Sequence, residues 1–158
     1  MCIRDRFWPD AEAAGTIRAL GRLSLKGARL VAVLLADRGI DLKLIGPLAD
    51  AGFAGVMLDT YDKRAGALPD IVSVSALQEF VGGVRANGML AGLAGSLRVE
   101  HVPLLLSLGP DVLGFRGGLC FRAARTATID SAAVRAVRRA CGPALCGAIA
   151  PRQTERVL

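Results

Sequence analysis

Short apolar runs alternate with longer stretches of mixed polarity from residue 30 onward. Four of these runs have the length of a strand, and they lie at residues 30–35, 55–59, 89–95 and 111–115. Strands of a parallel sheet are buried on both faces, so they read as continuous apolar runs and not as alternating ones. The pattern therefore predicts βαβ units that form a parallel sheet.

The stretches between the runs carry apolar residues at helical spacing. They predict helices over residues 42–51, 75–87, 100–108 and 131–141. Ser75 and Asp130 have side chains that can cap the first turn of the second and of the last of these helices. Gly88 follows the second helix directly, at a position where glycine commonly ends a helix.

The number of βα units bears on the size of the domain. Four units are visible, whereas a closed (β/α)8 barrel has eight. We interpret residues 30–141 as the last four or so units of a TIM (β/α)8 barrel, an α/β fold, in a fragment of a longer gene product. Residues 1–29 predict at most one helix, near residues 9–23, and are expected to be partly non-native. Residues 142–158 have no place in the pattern and are expected to form a loosely ordered tail.

Composition narrows the class of protein. No apolar run approaches the roughly 20 residues that a membrane helix needs, and no apolar segment follows Arg4 and Arg6 as it would in a secretory signal. The chain is therefore expected in the cytoplasm, without a membrane partner. Its four cysteines show neither CxxC spacing nor a nearby histidine, which argues against a metal site or a redox pair.

Positive charge is concentrated late in the chain. The net charge is +6, and residues 116–139 contain six arginines and one acidic residue, Asp130. This stretch should attract anions, and nucleic acid is one candidate. Only 4% of the residues are aromatic and no nucleic-acid-binding motif is present, so a small phosphorylated ligand explains the charge better. A basic nucleic-acid-binding module stays as an alternative, which predicts salt-sensitive binding to DNA or RNA.

Two glycine-rich turns follow the third and fourth predicted strands. One contains Gly95 and Ser96, and the other contains Arg116, Gly117 and Gly118. The carboxyl ends of neighbouring parallel strands meet at one edge, and the late loops of a (β/α)8 barrel commonly bind phosphate there. Glycine lets backbone N–H groups approach phosphate oxygens, while the serine hydroxyl and the arginine add donors and charge. We therefore expect these residues to bind a substrate phosphate.

Other polar residues lie at or near the same predicted edge. Asp59 ends the second strand and Lys63 follows it closely, so a carboxylate and an amine could act there as an acid/base or carbonyl-binding pair. Asp37 lies just past the first strand, where it could line the site or form a local turn. Cys120 could contribute to the site as well, although a thiol that only fills space is the more common arrangement.

Several segments resemble a known enzyme family. The runs VMLDTYDK, MLAGLAGSL, EHVPLLLSLGPDVLGFRGGLC and RTATID are similar, in the same order, to (5-formylfuran-3-yl)methyl phosphate synthases of methanofuran biosynthesis. The likeness spans residues 29–141. It implies a (β/α)8 barrel that joins two molecules of glyceraldehyde 3-phosphate in an aldol-type condensation, with loss of phosphate and water. Such an enzyme is lyase-like and uses a lysine Schiff base, with no metal and no cofactor.

The resemblance also implies roles for single residues. Asp59 matches a strand-end aspartate that is a proposed acid/base group, and Lys63 matches a lysine near the active site. The two glycine-rich turns fall in loops expected to hold phosphate. The Schiff-base lysine of the family lies on an early strand, upstream of this chain, and neither Lys26 nor Lys43 can replace it. The chain alone is therefore expected to be inactive.

Other interpretations stay open beside this one. Another phosphate-binding TIM-barrel aldolase or isomerase would present the same edge, and a non-catalytic half-barrel would contain the same strands. A sheet with an open edge also predicts that the isolated chain is poorly soluble or associates with itself, so a homo-oligomer is a further option.

Overall fold

A four-stranded parallel sheet is the centre of the structure. The computed structural model describes residues 13–23, 28–62, 64–123 and 126–142. The strands lie in sequence order, and they are β1 (Val31–Leu35), β2 (Gly55–Asp59), β3 (Leu90–Ala94) and β4 (Val112–Gly114). One row of the sheet consists of Leu34, Leu58, Leu93 and Leu113. The four predicted strands and their parallel pairing are confirmed.

Six α-helices flank the strands in the described part of the chain. They are α1 (Ala13–Gly21), α2 (Ile45–Asp50), α3 (Leu68–Ile71), α4 (Val74–Ala86), α5 (Val102–Ser107) and α6 (Ser131–Cys141). α1 lies within the range of residues 9–23 for which at most one helix was predicted, and residues 9–12 lie outside the described part of the chain. The helices predicted over 42–51 and 100–108 each begin with a 3₁₀ turn, at Leu42–Leu44 and Val99–His101, before α2 and α5. None of the helices in the described ranges is long and apolar enough to cross a lipid bilayer.

The start of α4 differs from the prediction. The N-cap is Ser73 and not Ser75, because the backbone of Ser73 is extended and its hydroxyl accepts a hydrogen bond from the N–H of Ala76, at 3.3 Å. Ser75 lies inside the first turn, where its Oγ is 3.1 Å from Oγ of Ser73. Both serines precede the apolar stripe of the helix, and only the backbone conformation distinguishes them. Asp130 is confirmed as the cap of α6, since its carboxylate accepts a hydrogen bond from the N–H of Ala132, at 2.8 Å.

One face of the sheet forms the buried core together with the helices. Residues paired across parallel strands lie on the same face, and successive residues of a strand point to opposite faces. The buried face carries Ala32, Leu34, Val56, Leu58, Ala91 and Leu93. The helices cover it with buried side chains that include Ile17, Leu48, Leu77, Phe80 and Val84. Each large apolar side chain buried here stabilises the fold by about 1.5–3 kcal/mol.

The opposite face of the sheet is only partly covered by the described residues. It is apolar over most of its area, with Val31, Val33, Leu35 and Met57, and it carries Asp59 at the carboxyl edge. Val31 is 45% exposed, and none of these apolar residues belongs to the core formed by the described part of the chain. The helices that build the core therefore lie on one side of the sheet.

Candidate functional site

The carboxyl ends of the strands bring the predicted site residues to one edge of the sheet. Asp59 is the last residue of β2 and pairs with Leu35 at the end of β1. Ala94 ends β3 and pairs with Gly114 at the end of β4. Because neighbouring strands end side by side, Asp59 and the turn that begins at Gly95 lie at the same edge.

The turn after β3 has an unusual backbone. Gly95 has a φ of 113° and Ser96 a φ of 49°, both in the left-handed region. A β-carbon on Gly95 would lie 2.7 Å from Cγ2 of Thr60, which is 1% exposed. The carbonyl of Gly95 accepts a hydrogen bond from the N–H of Leu68, at 3.0 Å, where α3 begins. The turn is thus held against the end of β2 and the start of α3, and its close approach requires glycine.

The turn after β4 lies against the turn after β3. Gly117–Leu119 is a 3₁₀ turn, closed by a hydrogen bond of 3.2 Å from the N–H of Leu119 to the carbonyl of Arg116. A β-carbon on Gly118 would collide with the carbonyl oxygen of Leu97. The structure therefore brings together the two glycine-rich turns that the sequence placed at adjacent strand ends. The side chain of Arg116 is exposed beside them.

Cys120 follows the second turn and contacts its backbone. The N–H of Cys120 donates to the carbonyl of Gly117 at 2.9 Å, and its Sγ lies 3.4 Å from the carbonyl oxygen of Arg116. The residue also forms an isolated antiparallel bridge with Ile129. These contacts give Cys120 a part in shaping the turn. Among the described residues, histidine, cysteine, aspartate and glutamate side chains form no group of three or more that could hold a metal ion.

Asp59 lies at the edge as predicted, whereas Lys63 lies outside the described residues. The carboxylate of Asp59 accepts a hydrogen bond from the N–H of Thr60, at 2.8 Å. Asp59 is half-buried on the partly covered face of the sheet, which it shares with Leu35 and Met57.

Asp37 uses both of its carboxylate oxygens to hold the loop after β2. Its Oδ1 accepts a hydrogen bond from the N–H of Tyr61 at 2.8 Å, and its Oδ2 accepts one from the N–H of Asp62 at 2.7 Å. Burial by itself raises the pKa of Asp37, but these two amides, its own amide and the charge of Arg38 outweigh burial and hold that pKa below its ordinary value. The structure thus shows contacts between two loops where the sequence suggested a site-lining carboxylate or a local turn.

The hydrogen bonds of Asp37 should weaken in acid. Because the pKa of this carboxyl is lower in the folded protein than its ordinary value of 3.8, its contribution to stability is present above that value and is lost as the pH falls through the folded pKa. We expect the free energy of unfolding to differ between the protein and its Asp37→Asn variant by a constant amount from about pH 5 to 7, and by less below about pH 4. Urea denaturation at a series of pH values measures this difference, and a difference that grows in acid would contradict the expectation.

Two further contacts order the same loop, and the sequence pattern gave no signal for them. The guanidinium carbon of Arg38 lies 4.7 Å from the centroid of the Tyr61 ring, which is a cation–π arrangement. Oδ1 of Asp62 accepts hydrogen bonds from the backbone N–H of Arg64 at 2.9 Å and from its Nε at 3.3 Å. These bonds from Arg64 hold the pKa of Asp62 below its usual range.

The far end of the loop is ordered by α3, a single helical turn that the sequence pattern did not predict. The side chain of Asp70 accepts a hydrogen bond from the N–H of Ala67 at 2.8 Å and so closes the start of the helix. A proline followed by an acidic residue, as at Pro69 and Asp70, is typical of the first turn of a helix and could have revealed α3. Thr60 was missed as well, because nothing in a sequence marks a threonine that packs on a distant glycine.

Comparisons with known proteins agree with one another. The sequence model of the 4-HFC-P synthase family matches residues 10–138 of this chain. The chain is 44% identical over 108 residues to a candidate (5-formylfuran-3-yl)methyl phosphate synthase of Methylorubrum extorquens, which covers 67% of this chain and 45% of that relative. It is 40% identical over 88 residues to the (5-formylfuran-3-yl)methyl phosphate synthase of Methanococcus maripaludis strain C5, a match that covers 55% of this chain and 37% of that relative. It is 38% identical over 93 residues to the synthase of Methanocaldococcus jannaschii, a match that covers 58% of this chain and 40% of that relative. The chain thus spans less than half the length of these curated relatives.

Proposed function

We propose, from the premise that this chain belongs to the 4-HFC-P synthase family, that it forms the carboxyl-terminal part of an enzyme that makes (5-formylfuran-3-yl)methyl phosphate. The enzyme joins two molecules of glyceraldehyde 3-phosphate in an aldol-type condensation, with loss of phosphate and water. It acts as a lyase in methanofuran biosynthesis, in the cytoplasm and without a cofactor. The observation that carries the proposal is the family match over residues 10–138, which include all four strands and both glycine-rich turns.

In this proposal a substrate phosphate binds between the two glycine-rich turns. The contact of Gly118 with the carbonyl of Leu97 supports this, because it places both turns at one point of the edge. The left-handed φ values of Gly95 and Ser96 favour the same use, since successive N–H groups in such a turn can form a concavity for an anion. The exposed guanidinium of Arg116 supplies the positive charge.

Asp59 transfers protons during the condensation, and Lys63 orients substrate or balances charge. The position of Asp59 supports its role, because the next residue, Thr60, packs on Gly95 of the phosphate turn. A Schiff-base lysine needs a pKa lowered by burial or by nearby cations. The neighbours of Lys63 in the sequence offer little desolvation, since the side chains of Asp62 and Arg64 are 45% and 93% exposed. The covalent step therefore belongs to a lysine upstream, as the family resemblance implies.

The sheet is proposed to be part of a closed TIM barrel. Strands in sequence order support this, because a doubly wound sheet reverses its strand order at a switch point. Core helices on one side of the sheet support it too, because a barrel has helices outside and strand side chains inside. The partly covered face with Val33 and Met57 would then be the barrel interior. In this proposal the remaining strands of the barrel belong to the portion of the relatives that this chain does not match.

A chimaera tests the proposed function directly. This chain's residues replace the matched 108 residues of the Methylorubrum extorquens relative, so that the unmatched portion of the relative completes the enzyme. We expect the purified chimaera to convert glyceraldehyde 3-phosphate into the furan aldehyde phosphate, detected by mass spectrometry together with the release of inorganic phosphate. We expect the chain alone to form none, because the proposal assigns the Schiff base to a lysine in the unmatched portion of the enzyme.

The unaltered relative serves as the positive control in the same assay. A chimaera that unfolds cooperatively but forms no product would contradict the proposed function. Product formed by the chain alone would contradict the assignment of the covalent step to an upstream lysine, and borohydride trapping of substrate on Lys63 would do the same.

A further inference from the structure

The carboxylate of Asp37 joins two loops that are far apart in the sequence. Asp37 lies in the 3₁₀ turn that directly follows β1, and its two oxygens accept hydrogen bonds from the N–H groups of Tyr61 and Asp62, at 2.8 and 2.7 Å. A charged acceptor makes these bonds stronger than bonds to a neutral group. Each oxygen accepts a hydrogen bond from one amide of the loop after β2, so the carboxylate fixes the direction of the backbone at both residues.

The opposite end of the same loop is held independently of Asp37. The N–H of Ala67 donates to Asp70, and the N–H of Leu68 donates to the carbonyl of Gly95, at 2.8 and 3.0 Å. The loop after β2 is therefore anchored at Tyr61–Asp62 on one side and at Ala67–Leu68 on the other. The two residues that Asp37 anchors, Tyr61 and Asp62, follow Asp59 closely in the sequence.

We infer that Asp37 is a positioning residue, which fixes the backbone at Tyr61 and Asp62 and so holds Asp59, two residues before them, in the orientation that proton transfer needs. The role assigned to Asp37 is positioning and not catalysis, because both of its oxygens accept hydrogen bonds from amides of the loop. The guanidinium carbon of Arg38 lies 4.7 Å from the centroid of the Tyr61 ring, so this segment is held through a side chain as well as through its backbone. This inference rests on the proposed function for the role of Asp59.

The first test measures the hydrogen bonds in the chain itself. In Asp37→Asn one acceptor oxygen is replaced by an NH₂ group, which repels a backbone N–H. We expect the amides of Tyr61 and Asp62 to exchange hydrogen about tenfold faster or more, which corresponds to the loss of one charged hydrogen bond. Asp41→Asn is the matched control, because among the described residues Asp41 accepts a hydrogen bond only from the nearby N–H of Lys43 at 3.0 Å, at the start of a similar turn. Unchanged exchange at Tyr61 and Asp62 would overturn the inference.

The second test measures turnover in the chimaera. Because the phosphate turns do not involve Asp37, we expect Asp37→Asn to lower kcat by about 10- to 100-fold while KM changes less than about threefold. Asp37→Ala should lower kcat further, since asparagine keeps one acceptor oxygen, and Asp41→Asn should leave kcat within about twofold of the unaltered chimaera. A change in KM alone, or an unchanged kcat, would overturn the inference.

The two tests separate this inference from the proposed function. An unaltered chimaera that is folded but inactive counts against the proposed function. Amide exchange in the chain does not depend on activity, and it still decides whether Asp37 orders the loop.

Discussion

Asp59→Asn in the chimaera is expected to lower kcat for furan formation by at least about 100-fold, with little change in KM for glyceraldehyde 3-phosphate. Asparagine has nearly the same shape as aspartate, and its amide oxygen can still accept the hydrogen bond that Asp59 receives from the N–H of Thr60. It cannot take up and release protons at ordinary pH. The loss should therefore appear in the chemical step and not in the binding of the phosphate.

Steady-state kinetics of the chimaera and its variants measure this effect. Asp50→Asn is the matched control, because Asp50 is exposed at the last residue of α2, and we expect it to keep the activity of the unaltered chimaera. A variant at Asp59 that keeps kcat within a few-fold would remove the proposed acid/base role. An effect confined to KM would indicate that Asp59 binds substrate and does not transfer protons.

The Gly95→Ala substitution is expected to lower the free energy of unfolding of the chain by roughly 2–4 kcal/mol. At a φ of 113° a residue with a β-carbon is strained, and here that β-carbon would also lie 2.7 Å from Cγ2 of Thr60. Thr60 is 1% exposed, so it has no open space into which it can move. Both the backbone strain and the steric contact oppose the folded state, whereas neither is present in the unfolded chain.

Gly82→Ala is the control, and its effect should have the opposite sign. Gly82 lies inside α4 and is exposed, and apart from its chain neighbours and the backbone of its own helix no atom lies within 4 Å of the position that a β-carbon would take. Alanine there should stabilise the protein by about 0.5–1 kcal/mol, because glycine is the poorer helix former. Urea denaturation of both variants measures the difference, and equal midpoints would show that the turn after β3 tolerates a side chain.

Local patterns predicted the elements whose signals lie within a few residues. The run 55–59 became β2 with the same bounds, because buried parallel strands are marked by continuous apolar character. Asp130 before an amphipathic stretch was a sufficient signal for the start of α6, since capping is a contact between near neighbours. Where two local signals competed, as at Ser73 and Ser75, the sequence pattern did not decide between them.

The candidate site was predictable only as a set of residues at one edge. The order of strands and glycine-rich turns placed Asp59, Gly95 and Gly118 together, because parallel strands end on the same side of a sheet. Their contacts were not predictable, since the approach of Gly118 to Leu97 depends on how neighbouring strands pair.

Residue type and spacing determined that this chain forms parallel βα units with glycine-rich turns and a carboxylate at the strand ends. Only the tertiary structure decided that Asp37 binds the amides of Tyr61 and Asp62 and that Thr60 packs on Gly95. Such pairs are 24 or more residues apart and carry no local signal. They form because the register of β1, β2 and β3 brings their loops to one height along the sheet, and register is set by core packing across the whole sheet and not by any single segment.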